Sequence, residues 1–181
     1  EVKVLVACEE SQVVCKAFRA KGHETFSCDI LPCSGGHPEW HIQDDVLSHL
    51  NDGWDLMITH PPCTHLAVSG AAWFKYKQRE QSEALEFVKT LLDAPIRKIA
   101  LENPVSIIST RIRKPDQIIQ PWMFGDSYQK KTCLWLKNLT KLIPTNIVDK
   151  GEFTIFPGGK KMATWSAKLW GLPKEERQRL R

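Results

Sequence analysis

The sequence predicts an α/β protein built on a doubly wound, mainly parallel sheet in one minimal domain. Short apolar runs that read as buried strands recur at residues 3–7, 24–29, 54–59 and 98–101. Segments with helical spacing lie between them, and glycines or prolines mark the joins. Repeated β-α-β units of this kind imply parallel strands joined by right-handed crossovers.

The elements follow in order. Lys3-Val4-Leu5-Val6-Ala7 reads as a buried strand. Ser11 is placed to cap a helix running to about Lys21, with Val13, Val14, Ala17 and Phe18 on one face and Gly22 at its end. Residues 24–29 form the second strand, residues 46–50 a short helix and residues 54–59 a further strand. From Gln78 to Asp93 the spacing of Ala84, Leu85, Phe87, Val88, Leu91 and Leu92 marks an amphipathic helix, which Pro95 stops. Residues 98–101 and 132–136 read as strands, and 152–156 as a hairpin arm entering the turn Pro157-Gly158-Gly159. Residues 103–130 are loop-rich, with Pro104, Pro115 and Pro121, and loops of that length in a compact domain are often functional. No internal repeat or linker interrupts the pattern.

A chain of 181 residues buries roughly two-thirds of its unfolded surface, so one core suffices without staples. No apolar run approaches the ~18 residues that span a bilayer, and residues 2–7 are too short for a signal peptide. The expectation is a protein of the reducing cytoplasm, without a membrane partner, whose six cysteines are free thiols. The net charge of +4 is compatible with nucleic acid without requiring it. Basic clusters at 111–114, 130–131, 160–161 and 174–181 are either solvated surface or phosphate contacts.

Two strand ends carry the residues with chemistry. Pro61-Pro62-Cys63 closes the run 54–60, so a thiol is rigidly presented at the carboxyl edge of a sheet, where α/β proteins bind ligands. Glu102-Asn103-Pro104 closes the run 98–101 and supplies a candidate acid. The first β-α turn, Ala7-Cys8-Glu9-Glu10-Ser11-Gln12, has no glycine, which argues against close approach of a pyrophosphate. It is either a plain capping loop or a site where helix-start amides and Glu9 or Glu10 hold a ligand's carboxylate and amino group. Asp29 is either a ribose-binding acid or a local cap. Asp45, beside Asp44, either accepts from an adenine amino group or caps the helix at Val46. Cys28, Cys33, His37 and His41 are ligand types that zinc prefers, but they lack the paired spacing of zinc modules, so no metal is expected. A Cys63–histidine pair for hydrolase-like catalysis is the remaining use of the thiol.

Pro-Pro-Cys followed by Glu-Asn-Pro, each at a strand end and in this order, resembles the DNA cytosine-5 methyltransferases, in particular compact phage and prophage members without a target-recognition domain. The resemblance spans roughly residues 2–136 in motif order. It implies the Rossmann-like fold of S-adenosylmethionine-dependent methyltransferases, with Cys63, Glu102 and Asn103 catalytic. The thiolate adds to ring carbon 6 of cytosine, and the acid hydrogen-bonds ring nitrogen 3. It assigns the cofactor to Ala7, Cys8, Glu9, Glu10, Ser11, Asp29, Ile30, Asp45, Val46, His60 and Pro61. It assigns substrate to Pro62, Thr64, Ser69, Arg111, Arg113, Lys130 and Lys131, the last two in the segment 128–132 that resembles the family's base-holding motif.

The chain departs from the family in lacking its Phe-x-Gly-x-Gly first motif, in having Pro104 where valine is usual, and in not reproducing a later glutamine and two arginines in register. Residues 137–181 form a short extension in place of a target-recognition domain. The expected partner is DNA, duplex or single-stranded, gripped by the basic clusters and the segment 73–77, or with help from a homodimer or accessory subunit. The resemblance points to phage or prophage origin and to action in the cytoplasm of a bacterial host, in restriction-modification or its evasion. The same attack on RNA or a free cytidine nucleotide, another carbon-5 modification, and a DNA-binding module retaining the fold are the alternatives.

Overall fold

In the computed structural model, which describes residues 1–169 and 171–173, Val4 and Val6 point to one face of a strand and Leu5 and Ala7 to the other, and all four are fully buried. This strand, β1 (Lys3–Ala7), lies in the interior of a seven-stranded sheet covered on both faces. The others are β2 (Glu24–Asp29), β3 (His41–Gln43), β4 (Leu56–Thr59), β5 (Lys98–Pro104), β6 (Gln117–Ile119) and β7 (Thr132–Lys137). The order across the sheet is β3-β2-β1-β4-β5-β7-β6. The pairs β1–β2, β1–β4, β2–β3 and β4–β5 are parallel, whereas β7 runs antiparallel to β5. The direction of winding reverses between β1 and β4, and ligands of open α/β sheets bind outside the carboxyl ends at such a point.

Helix α1 (Val13–Arg19) packs Cys15, Val14 and Phe18 against Val4 and Val6. On the opposite face, α2 (Gln78–Leu92) contributes Val88 and Leu91 to a larger core with Leu5, Met57, Ile99, Leu101 and Trp135. The expected doubly wound, mainly parallel sheet is therefore the fold. A short helix, α3 (Ile108–Arg111), adds Ile108 to the same core and, with β6, gives the predicted loop-rich stretch some regular structure.

Several boundaries differ from the sequence reading. Helix α1 starts after Gln12 rather than at Ser11, and Val13 is two-thirds exposed at 66% while Cys15 is buried. Strand β4 starts two residues late because the Trp54 indole donates to the carbonyl of His49 at 2.7 Å and holds the preceding turn. Strand β5 runs three residues past Leu101, because β7 pairs with it as far as Pro104, opposite Thr132. Pro104 is tolerated there as a terminal strand residue.

The chain divides into two compact units. The first comprises Glu1–Ile118 and Thr132–Lys141, the second Ile119–Lys131 and the chain from Leu142 onward. In the second unit, β8 (Phe153–Ile155) and β9 (Lys161–Ala163) form the predicted hairpin, followed by α4 (Thr164–Leu169). Segment 119–131 joins it because Trp165 donates to the carbonyl of Gln129 at 2.7 Å, Tyr128 packs edge-on against Trp165, and Val148 donates to Trp122 at 2.9 Å. The basic cluster 174–181 lies outside the described residues.

Candidate active site

Thr59 of β4 is level with Leu101 of β5, and beyond this register point the two chains part. His60 still belongs to the sheet edge, donating its amide to the carbonyl of Ala7 at 3.0 Å. Pro61 is buried and Pro62 exposed. The carbonyl of Cys63 accepts from the amides of Leu66 at 3.0 Å and Ala67 at 2.9 Å, so the half-buried cysteine opens a tight turn. Thr64 and Ser69, on and just after this turn, are exposed.

Glu102 and Asn103 lie inside β5, not beyond it, with their backbone opposite Leu134 and Cys133 of β7. The buried Asn103 donates from Nδ2 to the carbonyl of Pro61 at 2.9 Å. Glu102 Oε2 lies 3.3 Å from His60 Nδ1, both side chains being 29% exposed. Further along, Ile107 donates to Leu66 at 3.0 Å and Val68 to Val105 at 3.1 Å, with Ala67 bridging Ser106. The thiol segment and the acid segment are thus tied before, at and after the catalytic candidates. His60, assigned to the cofactor by resemblance, lies against the acid.

At the ends of β1 and β2 the arrangement is acidic. Cys8 adopts φ 59, a left-handed conformation that glycine takes without strain, and its amide donates to the carbonyl of Cys28 at 2.7 Å. Burial pushes the Cys8 thiol up to about 12, and the charges of Asp29 and Asp45 push the same way, against the lowering effect of Thr59. The Cys28 thiol is likewise pushed up to about 12 by burial, then by Asp29, Asp44 and Asp45. Carboxylates therefore gather around Cys8 and Cys28. Asp29 accepts from the amide of Leu31 at 2.9 Å and Asp45 from that of Leu47 at 3.0 Å, each through Oδ1. Asp45 is thus the cap of the short helix Val46–His49, one of the two roles the sequence left open.

The rest of the first turn serves the fold. Buried Glu9 accepts from the amides of Val14 at 2.7 Å and Cys15 at 3.1 Å, so the helix-start amides expected to hold a ligand are occupied from within. Ser11 makes no side-chain cap, because Gln12, in a left-handed conformation with φ 58, turns the chain before the helix begins. Gln12 is fully buried, donates to the carbonyl of His37 at 2.8 Å and to Ser27 at 3.2 Å, and accepts from the amide of His37 at 3.0 Å. Glu10 accepts from the Ser34 hydroxyl, and a Cβ on Gly35 would lie 2.5 Å from the carbonyl of Ser11. The loop carrying Ser34 to His37 is seated on this turn. Of the cofactor candidates, Ala7 and Val46 are buried in the core and Ile30 is 72% exposed, leaving Cys8, Asp29 and Asp45 grouped by charge.

Three of the four zinc candidates, Cys28, His37 and His41, have other partners. Cys28 Sγ contacts the carbonyl of Asp44 at 3.5 Å, and His37 meets Glu39 at 3.0 Å while stacking on Trp40. His41 meets Ser27 at 2.8 Å and the carbonyl of Leu31 at 2.9 Å. Among the described residues no group of three or more histidines, cysteines or acids converges on a metal position.

Of the basic candidates, Arg111 is exposed at the end of α3 and lines a groove of about 520 Å³ with Phe74, Lys75 and Gln78. Arg113 is committed to the fold: it donates to Asp116 at 2.8 Å and to the carbonyls of Leu136 at 3.2 Å and Lys114 at 3.4 Å. Burial pushes the Asp116 carboxyl up, but the Leu136 amide and Arg113 outweigh it and hold the group below the usual range. Lys130 and Lys131 belong to the second unit. Trp73 and Tyr76 are exposed at 63% and 67% on the short helix Val68–Tyr76. The sequence reading had no sign of Gln12's structural role, since only a glycine would have advertised the left-handed turn.

No helix among the described residues is long and apolar enough to cross a membrane. No family model matches the chain, and no curated protein does. Among solved structures, the chain is similar to a protein described as a DNA modification methyltransferase encoded within an E. coli prophage, with a TM-score of 0.50 and 15% sequence identity. The match covers 96% of this chain and 56% of that one, so the chain spans little more than half the length of that neighbour. At this identity the likeness bears on the fold alone, a Rossmann-like sheet flanked by helices.

Proposed function

We propose that the chain transfers a methyl group from S-adenosylmethionine to carbon 5 of cytosine in DNA. The observation that carries this reading is the joining of the Pro61-Pro62-Cys63 segment to Glu102 and Asn103, through the Asn103–Pro61 hydrogen bond and the His60–Glu102 contact. The printed description of the prophage neighbour, a DNA modification methyltransferase, agrees with it.

The residues at the ends of β1 and β2 fit the cofactor. Carboxylates are acceptors, so a site built from Asp29 and Asp45 around Cys8 suits a ligand offering hydroxyls, an amino group and positive charge. It does not suit a pyrophosphate, which would also find the amides at the start of α1 taken by Glu9. Asp29 would hold the ribose, and Asp45, with the oxygen not used in capping, the adenine. When bound, the cofactor supplies an electrophilic methyl group.

Carbon 5 of cytosine is a poor nucleophile until a thiolate adds to carbon 6. Cys63 forms that bond, and Glu102 donates a proton to ring nitrogen 3 as negative charge develops, leaving carbon 5 enamine-like. After carbon 5 is substituted, a base removes its proton, the Cys63 thiolate leaves, and the nitrogen 3 proton returns to Glu102. Asn103 keeps the thiol loop in register with the acid through Pro61.

DNA containing 5-fluorocytosine tests the reading, because fluorine cannot be removed as a proton and the adduct is trapped. Covalent capture that requires S-adenosylmethionine and is lost in Cys63→Ser is the expected result. Absence of labelled methyl transfer to duplex, single strand, RNA and free nucleotide alike would overturn it.

A further inference from the structure

Glu102 is in contact with a histidine that the attack on cytosine does not itself require. His60 Nδ1 lies 3.3 Å from Glu102 Oε2, within reach of a hydrogen bond. Its place is fixed from two sides: its amide donates to the carbonyl of Ala7 at 3.0 Å, and the next residue, Pro61, is buried and held by Asn103 at 2.9 Å. The opposite ring nitrogen, Nε2, is buried and makes no hydrogen bond among the described residues. The one polar contact of the ring is therefore the carboxylate. Asn103 beside it gives its amide nitrogen to the carbonyl of Pro61 and Thr59 before His60 is fully buried; His60 is the side chain bonded to Glu102 among the described residues.

We infer that His60 is the positioning residue for Glu102, a role that rests on the cytosine-5 reading. A carboxylic acid has one proton and two oxygens. With Oε2 accepting from His60 Nδ1–H, the proton resides on Oε1 and is aimed away from the histidine, toward ring nitrogen 3. As the sulfur–carbon 6 bond forms, that proton moves from Oε1 to nitrogen 3. The negative charge left on the carboxylate is then offset by the hydrogen bond already in place from Nδ1. When the thiolate leaves, the proton returns to Oε1. Glu102 thus regains its own proton, the one proton released over the cycle being that of carbon 5, and the histidine keeps its own throughout. A preorganised donor aimed at developing charge is worth roughly 10²–10³ in rate.

The experiment compares wild type, His60→Ala, His60→Asn, Glu102→Gln and the double variant His60→Ala/Glu102→Gln. Asparagine is chosen because its amide nitrogen can stand near the position of Nδ1. The readouts are calorimetric binding of S-adenosylmethionine and single-turnover methyl transfer to cytosine-containing DNA. The expected result for His60→Ala is transfer slowed about 10²–10³-fold, with cofactor affinity within about twofold and with His60→Asn recovering at least tenfold of the loss. The double variant is expected to be no slower than Glu102→Gln alone, since residues acting as a unit are non-additive. Multiplicative losses in the double variant would overturn the inference. So would weakened cofactor binding with transfer unchanged at saturation, which would make His60 a cofactor contact. A wild type that transfers methyl groups while His60→Ala matches it would sink the histidine's role alone. A wild type that transfers none would sink the cytosine-5 reading and this role with it.

Discussion

Asn103 Nδ2 donates to the carbonyl of Pro61 at 2.9 Å, joining a strand interior to the loop that carries the thiol. Asn103 is 1% exposed, so the bond is made away from water, where leaving either partner unmatched is costly. Replacement of Asn103 by alanine is expected to destabilise the fold by about 1–3 kcal/mol, measured by urea unfolding. A loss below a few tenths would mean that the loop holds its place without this bond.

Glu102 is half-buried and its backbone is set by β7, so its side chain can be changed with little effect on folding. Glu102→Gln is expected to slow methyl transfer by about 10²–10³-fold, read in single-turnover assays, with a melting temperature close to wild type. An unchanged rate would remove the acid from the mechanism.

The first helix is capped by a residue that precedes it by several positions. Glu9→Ala strips acceptors from the amides of Val14 and Cys15 and is expected to cost about 1–2 kcal/mol. Ser11→Ala, at the position the sequence nominates as the cap, is expected to change stability by less than about 0.5 kcal/mol. Chemical denaturation of both variants decides between them; the reverse ranking would contradict the geometry.

Two thiols give the protein a dependence on alkaline pH. Cys8 and Cys28 are pushed from 9.0 to about 12 in the fold, so the unfolded chain loses these protons first. Their contribution to stability is complete below pH 9 and is lost as pH rises from 9 toward 12. Unfolding midpoints measured across that range are expected to fall, and less so in Cys8→Ala. Native-state alkylation at pH 8 is expected to spare both thiols.

Arg111 and Arg113 are neighbours in sequence with different tasks. Arg113 is engaged by Asp116 and the carbonyl of Leu136, and Arg111 lines an exposed groove with Lys75. Arg111→Ala is expected to weaken DNA binding and to reduce the slope of log affinity against log salt by about 1. Arg113→Ala is expected to lower thermal stability while leaving that slope unchanged. Equal slopes for both variants would remove Arg111 from the interface.

The legible parts of this fold were those set by apolar period. Strands β1 and β2 and helix α2 followed from Val, Leu and Phe spacing, because burial of one stripe or face dictates the element. Motif order put the Cys63 and Glu102 segments at two strand ends, and the structure joins those segments through Pro61 and His60. What local sequence does not encode is long-range pairing. The extension of β5 through Glu102 and Asn103 depends on β7, some thirty residues away, and the commitment of Arg113 depends on Asp116 and Leu136. Glu9 stayed open between a ligand contact and a cap because nothing in a short stretch of sequence tells whether a carboxylate faces outward or back onto its own helix, as it does here. The grouping of 119–131 with 142 onward rests on tryptophan hydrogen bonds that no periodicity announces.

The overhang of β5 beyond β4 carries a consequence for motion. On one side β7 holds the backbone through Pro104, and on the other the parallel partner ends at Leu101. The acid therefore rides on backbone that opens only when the sheet does, so its amides belong with the slowest to exchange with deuterium. The short helix Val68–Tyr76 has no buried residue and is tied to the acid segment through its first residue, Val68, so it belongs with the faster class. In the proposed reaction, entry of a base and release of product would be movements of this helix beside the thiol, made against an acid that stays still.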